Sequence, residues 1–233
     1  MPDDTAPART PAADIPALMP DPAEARAKAG ARVLAGCGFA ALAVVLVPLV
    51  LLVGLSWGST DFPRVPPEEM ANRAFQRSQE AYAVLGFTRT VEPGVEDPGV
   101  STENTFGAGF CYDGGLLGME DRTVDGASSM SHSWALDRVT AGQAVPGLRR
   151  LHRFARDNGW KVTSYREGPR GGAWELYVQR DGGDERMSFT WYPDRGYFTG
   201  GATAPCAYDP EWRAGDVGPA GDDLRPPAFG PAR

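Results

Sequence analysis

Apolar and polar positions change their spacing several times along the chain, and each spacing predicts an element. Ala71, Ala74, Phe75, Ser78, Tyr82 and Leu85 share one helical face. Pro66, Pro67, Glu68 and Glu69 suit the start of that helix and Gly86 its end. A second helix is predicted from about Thr140 to Asn158, closed by Gly159, with Ala144, Leu148, Leu151 and Ala155 inward and Phe154 at their flank. Thr140 and Gln143 have capping-box spacing, whereas Pro146 argues for a start nearer Val145. Alternation of period two marks strands at Ser131–Val139, Trp160–Glu167, Ala173–Arg180, Glu185–Tyr192 and Tyr197–Thr203. The last four are joined by short Gly-, Pro- and Asp-rich turns. This order predicts an α+β fold, a mostly antiparallel sheet with two helices on one face.

One stretch has neither period. Val33–Thr60 runs for 28 residues without Asp, Glu, Lys, Arg or His. About 20 apolar residues cross a hydrocarbon core of about 30 Å, so 33–57 is expected to be a transmembrane helix preceding the folded domain. Pro48 is tolerable there as a kink, and Trp57 suits the interface. Arg26, Lys28 and Arg32 precede the stretch and Asp61, Arg64, Glu68 and Glu69 follow it, which points the N-terminus to the cytoplasm and the C-terminal domain to the extracellular side. The apolar core is too long for a cleaved signal. Leu34-Ala35-Gly36-Cys37 resembles a lipobox, but a lipobox cysteine follows its hydrophobic region and here it precedes it. An uncleaved single-pass anchor in the cell membrane is therefore expected, with the lipid bilayer as its first partner.

Composition refines this layout. Residues 1–32 carry five acids and four bases among Pro and Ala, which predicts an unstructured cytoplasmic tail. The extracytoplasmic domain is expected over 58–208. Within it 87–103 is loop-like, and a Pro-, Gly- and Asp-rich stretch, 209–233, reads as an unstructured C-terminal tail. A net charge of −7 argues against a nucleic-acid partner. Of three cysteines, Cys111 and Cys206 lie in the outer domain, where thiols oxidise and two usually pair. Closing so long a loop stabilises by on the order of 4–5 kcal/mol in chain-entropy arithmetic.

The run Ala135-Leu136-Asp137-Arg138-Val139, with Gln143-Ala144, Leu148-Arg149-Arg150-Leu151 and Asn158-Gly159-Trp160-Lys161-Val162, resembles a group of small actinobacterial envelope proteins. Ala204-Pro205-Cys206 is similar to that group's strand-end Ser-Pro-Cys, with Ala204 in place of serine. The resemblance spans about 128–206 and implies a lipoprotein or single-pass protein with one α+β domain. It implies no catalytic residues.

Chemistry-bearing motifs are sparse. His132 falls in a strand and His152 beside arginines on a helix; no nucleophile elbow, phosphate loop or calcium loop occurs. The expectation is a protein that is not an enzyme and needs no cofactor. Two surfaces are candidates for binding. Alternation places Tyr165, Tyr177 and Tyr192 together on the face the helices leave open, where they can stack sugars or anchor a peptide. Arg149, Arg150, Arg153 and Arg156 give the second helix a basic face suited to phosphate or carboxylate. The expected function is a membrane-anchored binding or interaction module for an envelope protein or an anionic or saccharide envelope polymer. Two alternatives stay open, an accessory or sensory subunit of a membrane complex and a cell-envelope hydrolase.

Overall fold

The chain separates into two compact units, Met1–Gly58 and Ser59–Arg233. A computed structural model describes residues 61–112, 122–168 and 172–231, all within the second unit. The tail 1–32 and the apolar stretch 33–57 lie outside the described residues. Among the described residues no helix is long and apolar enough to cross a membrane.

The second unit is α+β. In chain order it comprises α1 (Pro67–Leu85), β1 (Gly94–Val95), β2 (Glu103–Tyr112), β3 (Thr123–Leu136), α2 (Ala141–Asp157), β4 (Lys161–Arg166), β5 (Trp174–Arg180), β6 (Glu185–Tyr192), β7 (Tyr197–Thr203) and β8 (Ala207–Tyr208). The strands form one sheet of order β1-β2-β3-β7-β6-β5-β4, with β8 pairing β3. Every strand pair is antiparallel. β3 is long enough to take β2 along one side and β7, then β8, along the other. The four-stranded meander β4–β7 matches the expectation. β2 was not legible as a strand, because Gly107 and Gly109 interrupt its alternation.

Both helices follow their apolar spacing. α1 starts at Pro66 and Pro67, carries Glu68 and Glu69 in its first turn, and ends on Gly86 at φ 78°, a left-handed conformation that favours glycine. α2 begins at Ala141, four residues before Val145. Gln143 secures this earlier start, its Oε1 accepting from the Thr140 amide and hydroxyl at 3.0 Å each. Pro146, inside the helix, removes only a single bond near its start. Arg150 fastens α2 to α1, its Nε and Nη2 donating to the carbonyls of Val84 and Leu85 at 3.1 and 2.6 Å. Those carbonyls are unpaired ends of α1, so a cation there also meets the negative end of the helix dipole. Gly147 permits the close crossing, since a Cβ would stand 2.9 Å from the Leu85 carbonyl oxygen.

The core lies between the helices and one sheet face and centres on Trp134, whose ring lies 5.1 Å from Tyr82, 5.6 Å from Phe198 and 5.4 Å from Phe229. A Cβ on Gly200 would run into the Trp134 indole, so glycine at that position makes room for it.

Two expectations require correction. Residues 209–231 are not a loose tail but a strap over the core. Phe229 is fully buried, and its backbone exchanges hydrogen bonds with Val91 at 2.7 and 2.8 Å. Leu224 packs beside Met130, and Gly221 passes so near Met130 and Pro67 that a Cβ would stand 2.9 Å from each. Phe229 is the one large side chain buried in full there, with Trp212 and Leu224 half-buried, in a stretch whose composition reads as unstructured. Residues 87–103, in turn, are only partly loop, since Phe87 and Val91 are buried and Gly94–Val95 forms β1.

Cys111 and Cys206 form the expected disulfide, with Cα atoms 6.0 Å apart. It joins the end of β2 to the connection between β7 and β8.

Candidate binding surfaces

The helices leave one sheet face uncovered. Register places Gly107, Ser131, Thr203 and Arg186 in one cross-strand row, and Thr105, Ser133, Gly201, Ser188 and Tyr177 in the next. Hydroxyls and glycines therefore dominate this face, in contrast to the aromatic face beneath. A shallow groove of about 220 Å³ crosses it, lined by Thr163, Tyr177, Gln179, Arg186, Ser188 and Thr203. Tyr177 is 39% exposed and is the largest side chain presented there. Of the other lining residues, Gln179, Arg186 and Ser188 follow from the polar phase of β5 and β6, whereas Thr163 and Thr203 come from β4 and β7.

The three candidate tyrosines do not gather. Thr163 is an extra residue in β4, and the register shift it produces moves Tyr165 to the same side as Val162. Both pack against the core, so Tyr165 is not on the open face, contrary to the simple alternation. Its ring stacks on His152 with centroids 4.1 Å apart, and its hydroxyl donates to Glu167 at 2.9 Å. Burial, with the bond to Glu167, raises the Tyr165 pKa above the usual phenol value. Tyr192 is on the open side but sits at the sheet end, with the Arg195 guanidinium 4.4 Å over its ring and 5.6 Å from the ring of Tyr197. Arg195 also donates to the Gly99 carbonyl at 3.4 Å, so the turn around residue 99 covers that end alone. Tyr177 is the one exposed member of the set, Tyr165 and Tyr192 being half-buried.

The arginines of α2 divide in the same way. Arg150 is committed to the end of α1. Arg149 donates from Nε and Nη2 to the two Glu167 oxygens at 3.1 and 3.0 Å and lies 5.4 Å from the Trp174 ring centroid. These bonds hold the Glu167 carboxyl below the usual carboxylate range. Arg153 and Arg156 are exposed. The expected row of four is thus a pair, a strut and a tie between helices.

Two polar clusters lie outside these surfaces. Glu185 is nearly buried, 3.1 Å from Arg77 Nε and 3.2 Å from Arg180 Nε, beneath a groove of about 590 Å³. Arg180 also lies over the Trp160 ring at 4.1 Å. Deeper, Asn104 Nδ2 donates to the carbonyls of Val91 and Pro227 at 3.2 and 2.8 Å. Its Oδ1 must therefore accept from His132 Nε2, 2.9 Å away, which leaves His132 Nδ1 as a bare acceptor without a partner. Phe75, Phe106 and Phe229 surround the imidazole at 4.9, 5.7 and 4.9 Å. Burial lowers the His132 pKa to about 3. This histidine locks the strap to β2 and β3 and reaches no surface.

Among the described residues no group of three or more His, Cys, Asp or Glu is placed to hold a metal ion. No protein-family model, curated protein or solved structure matches the chain.

Proposed function

We propose that the chain is a single-pass cell-membrane protein, anchored by residues 33–57, whose α+β domain acts outside the cytoplasm as a binding module rather than as a catalyst. The uncharged stretch, its basic N-terminal flank and a disulfide suited to an oxidising compartment support this placement. The resemblance to actinobacterial envelope proteins fits the same location.

The open sheet face carries the functional argument, through Tyr177 exposed beside a groove of hydroxyl, amide and guanidinium side chains. A tyrosine offers a broad apolar ring with a polar tip, and the neighbouring polar groups can exchange hydrogen bonds with a polyol. The ligand class assigned to this face is an envelope saccharide. The test is co-sedimentation of the full-length protein, in detergent, with insoluble cell-envelope polysaccharide. Tyr177→Ala should raise the apparent dissociation constant by at least about tenfold, the loss of roughly 1.4 kcal/mol, while Tyr165→Phe leaves it unchanged. Equal retention of wild type and Tyr177→Ala would overturn the assignment.

A further inference from the structure

The two edges of the sheet differ in a way the open face does not explain. At one edge β4 is six residues long, carries Lys161 and Arg166 at its ends, and is bulged at Thr163. Charges, bulges and short length are the usual means of keeping an edge from pairing with another chain. At the other edge β1 covers β2 only at Glu103 and Asn104. Along Thr105–Tyr112 β2 has β3 on one side and, among the described residues, no backbone partner on the other. This stretch contains no Lys, Arg, Asp, Glu or Pro. Phe110 and Tyr112 are 47% and 53% exposed at its end. The strand keeps a continuous register with β3 from Glu103 to Phe110; the register shifts only beyond, between Phe110 and Tyr112, where the disulfide at Cys111 anchors that end.

Its sequence is symmetric about one residue. Phe106-Gly107-Ala108-Gly109-Phe110 reads the same in both directions. A two-fold axis makes residue i of one copy meet residue j of the other and j meet i, so a symmetric strand is complementary to itself. We propose that β2 is a dimerisation edge, pairing antiparallel with β2 of a second copy about an axis at Ala108. Phe106 of each copy then faces Phe110 of the other on the helix side, giving two aromatic cross-strand pairs. Gly107 faces Gly109 on the open side, where the absence of side chains leaves the seam flat. The two sheets join into one, and their open faces become a single extended surface. An extended peptide from a different protein is the competing occupant of such an edge, but it gains nothing from the symmetry.

The test uses the full-length chain in detergent micelles with Cys37→Ala, which removes the cysteine of the apolar stretch. Residues directly opposite in an antiparallel pair have Cα atoms about 4.5–5.5 Å apart, within disulfide range. Under air oxidation with copper phenanthroline, Ala108→Cys should therefore give a covalent dimer and Thr163→Cys, on the β4 edge, none. In the unoxidised protein, Phe110→Lys should raise the dimer dissociation constant at least about tenfold, read by light scattering. Phe110→Thr provides a neutral second variant, and an unchanged circular dichroism spectrum shows that each variant folds. A monomer at every concentration would overturn the proposal. So would a dimer that ignores both Phe110 variants and fails to crosslink at Ala108→Cys, since that dimer must form elsewhere.

Discussion

The two faces of the sheet are built by the same strands and obey opposite rules. Beneath the helices, Trp134, Phe189 and Phe198 alternate into a packed aromatic core in which even Gly200 is shaped by its neighbour. On the other side, Ser131, Ser133, Ser188 and Gly201 occupy the intervening positions, Ser133 and Ser188 exposed and the other two half-buried. Strand parity assigns each residue to a face, and a single inserted residue reassigns it. Thr163 does so for Tyr165, which leaves the open face and becomes a strut between β4 and α2. The comparison separates tolerance from function, since the core face is sensitive to volume and the open face to surface chemistry.

The largest expected effect on this contrast is acid. His132 has a folded pKa of about 3 against the ordinary 6.5, so protons bind the unfolded chain more readily. The stability linked to it is complete above about pH 6.5 and is lost as pH falls towards 3, by on the order of 4 kcal/mol. His132→Gln keeps a donor for Asn104 and cannot titrate, so its urea stability should fall less than that of wild type between pH 7 and pH 4. Next is Phe229→Ala, which should cost about 3–5 kcal/mol by emptying the strap's anchor beside Trp134, measured by urea unfolding. Arg150→Ala should cost about 1 kcal/mol by freeing the two carbonyls at the end of α1, read in the same way. The smallest effect belongs to the open face, where Ser188→Ala should stay within about 0.5 kcal/mol of wild type. A loss above 2 kcal/mol there would break the comparison, because it would mean that the open face is packed after all.

Much of this was legible where periodicity was strong. The inward residues of both helices and the alternation of β5, β6 and β7 follow directly from spacing, because burial there selects apolar residues at regular intervals. β2 escaped because glycines at 107 and 109 erase the pattern that period two requires. The strap escaped because its packed residues, Trp212, Leu224 and Phe229, follow no regular spacing, and the burial of Phe229 is set by long-range contacts with Phe75, Tyr82 and Trp134. At the candidate site, Tyr177 was found by parity and Tyr165 was misplaced by it. Bulges depend on how two strands pair, and a single strand's sequence does not record that. The arginine row illustrates the same limit, since helical spacing brought Arg149, Arg150, Arg153 and Arg156 to adjoining positions but could not reveal which carbonyls and carboxylates awaited them.

The disulfide has a mechanical consequence. Cys111 and Cys206 are separated by 95 residues, and all of β3, α2 and β4–β7 lie between them. A force applied across residues 61 and 231 therefore bypasses that segment, withholding about 330 Å of extensible chain at roughly 3.5 Å per residue. Tension would peel away the strap and strip α1 and β2, whereas β4–β7, enclosed by the bridge, would stay out of the loaded backbone. A partner holding that face would stay attached under a pull that unravels both ends of the domain, until the sulfur bridge was reduced.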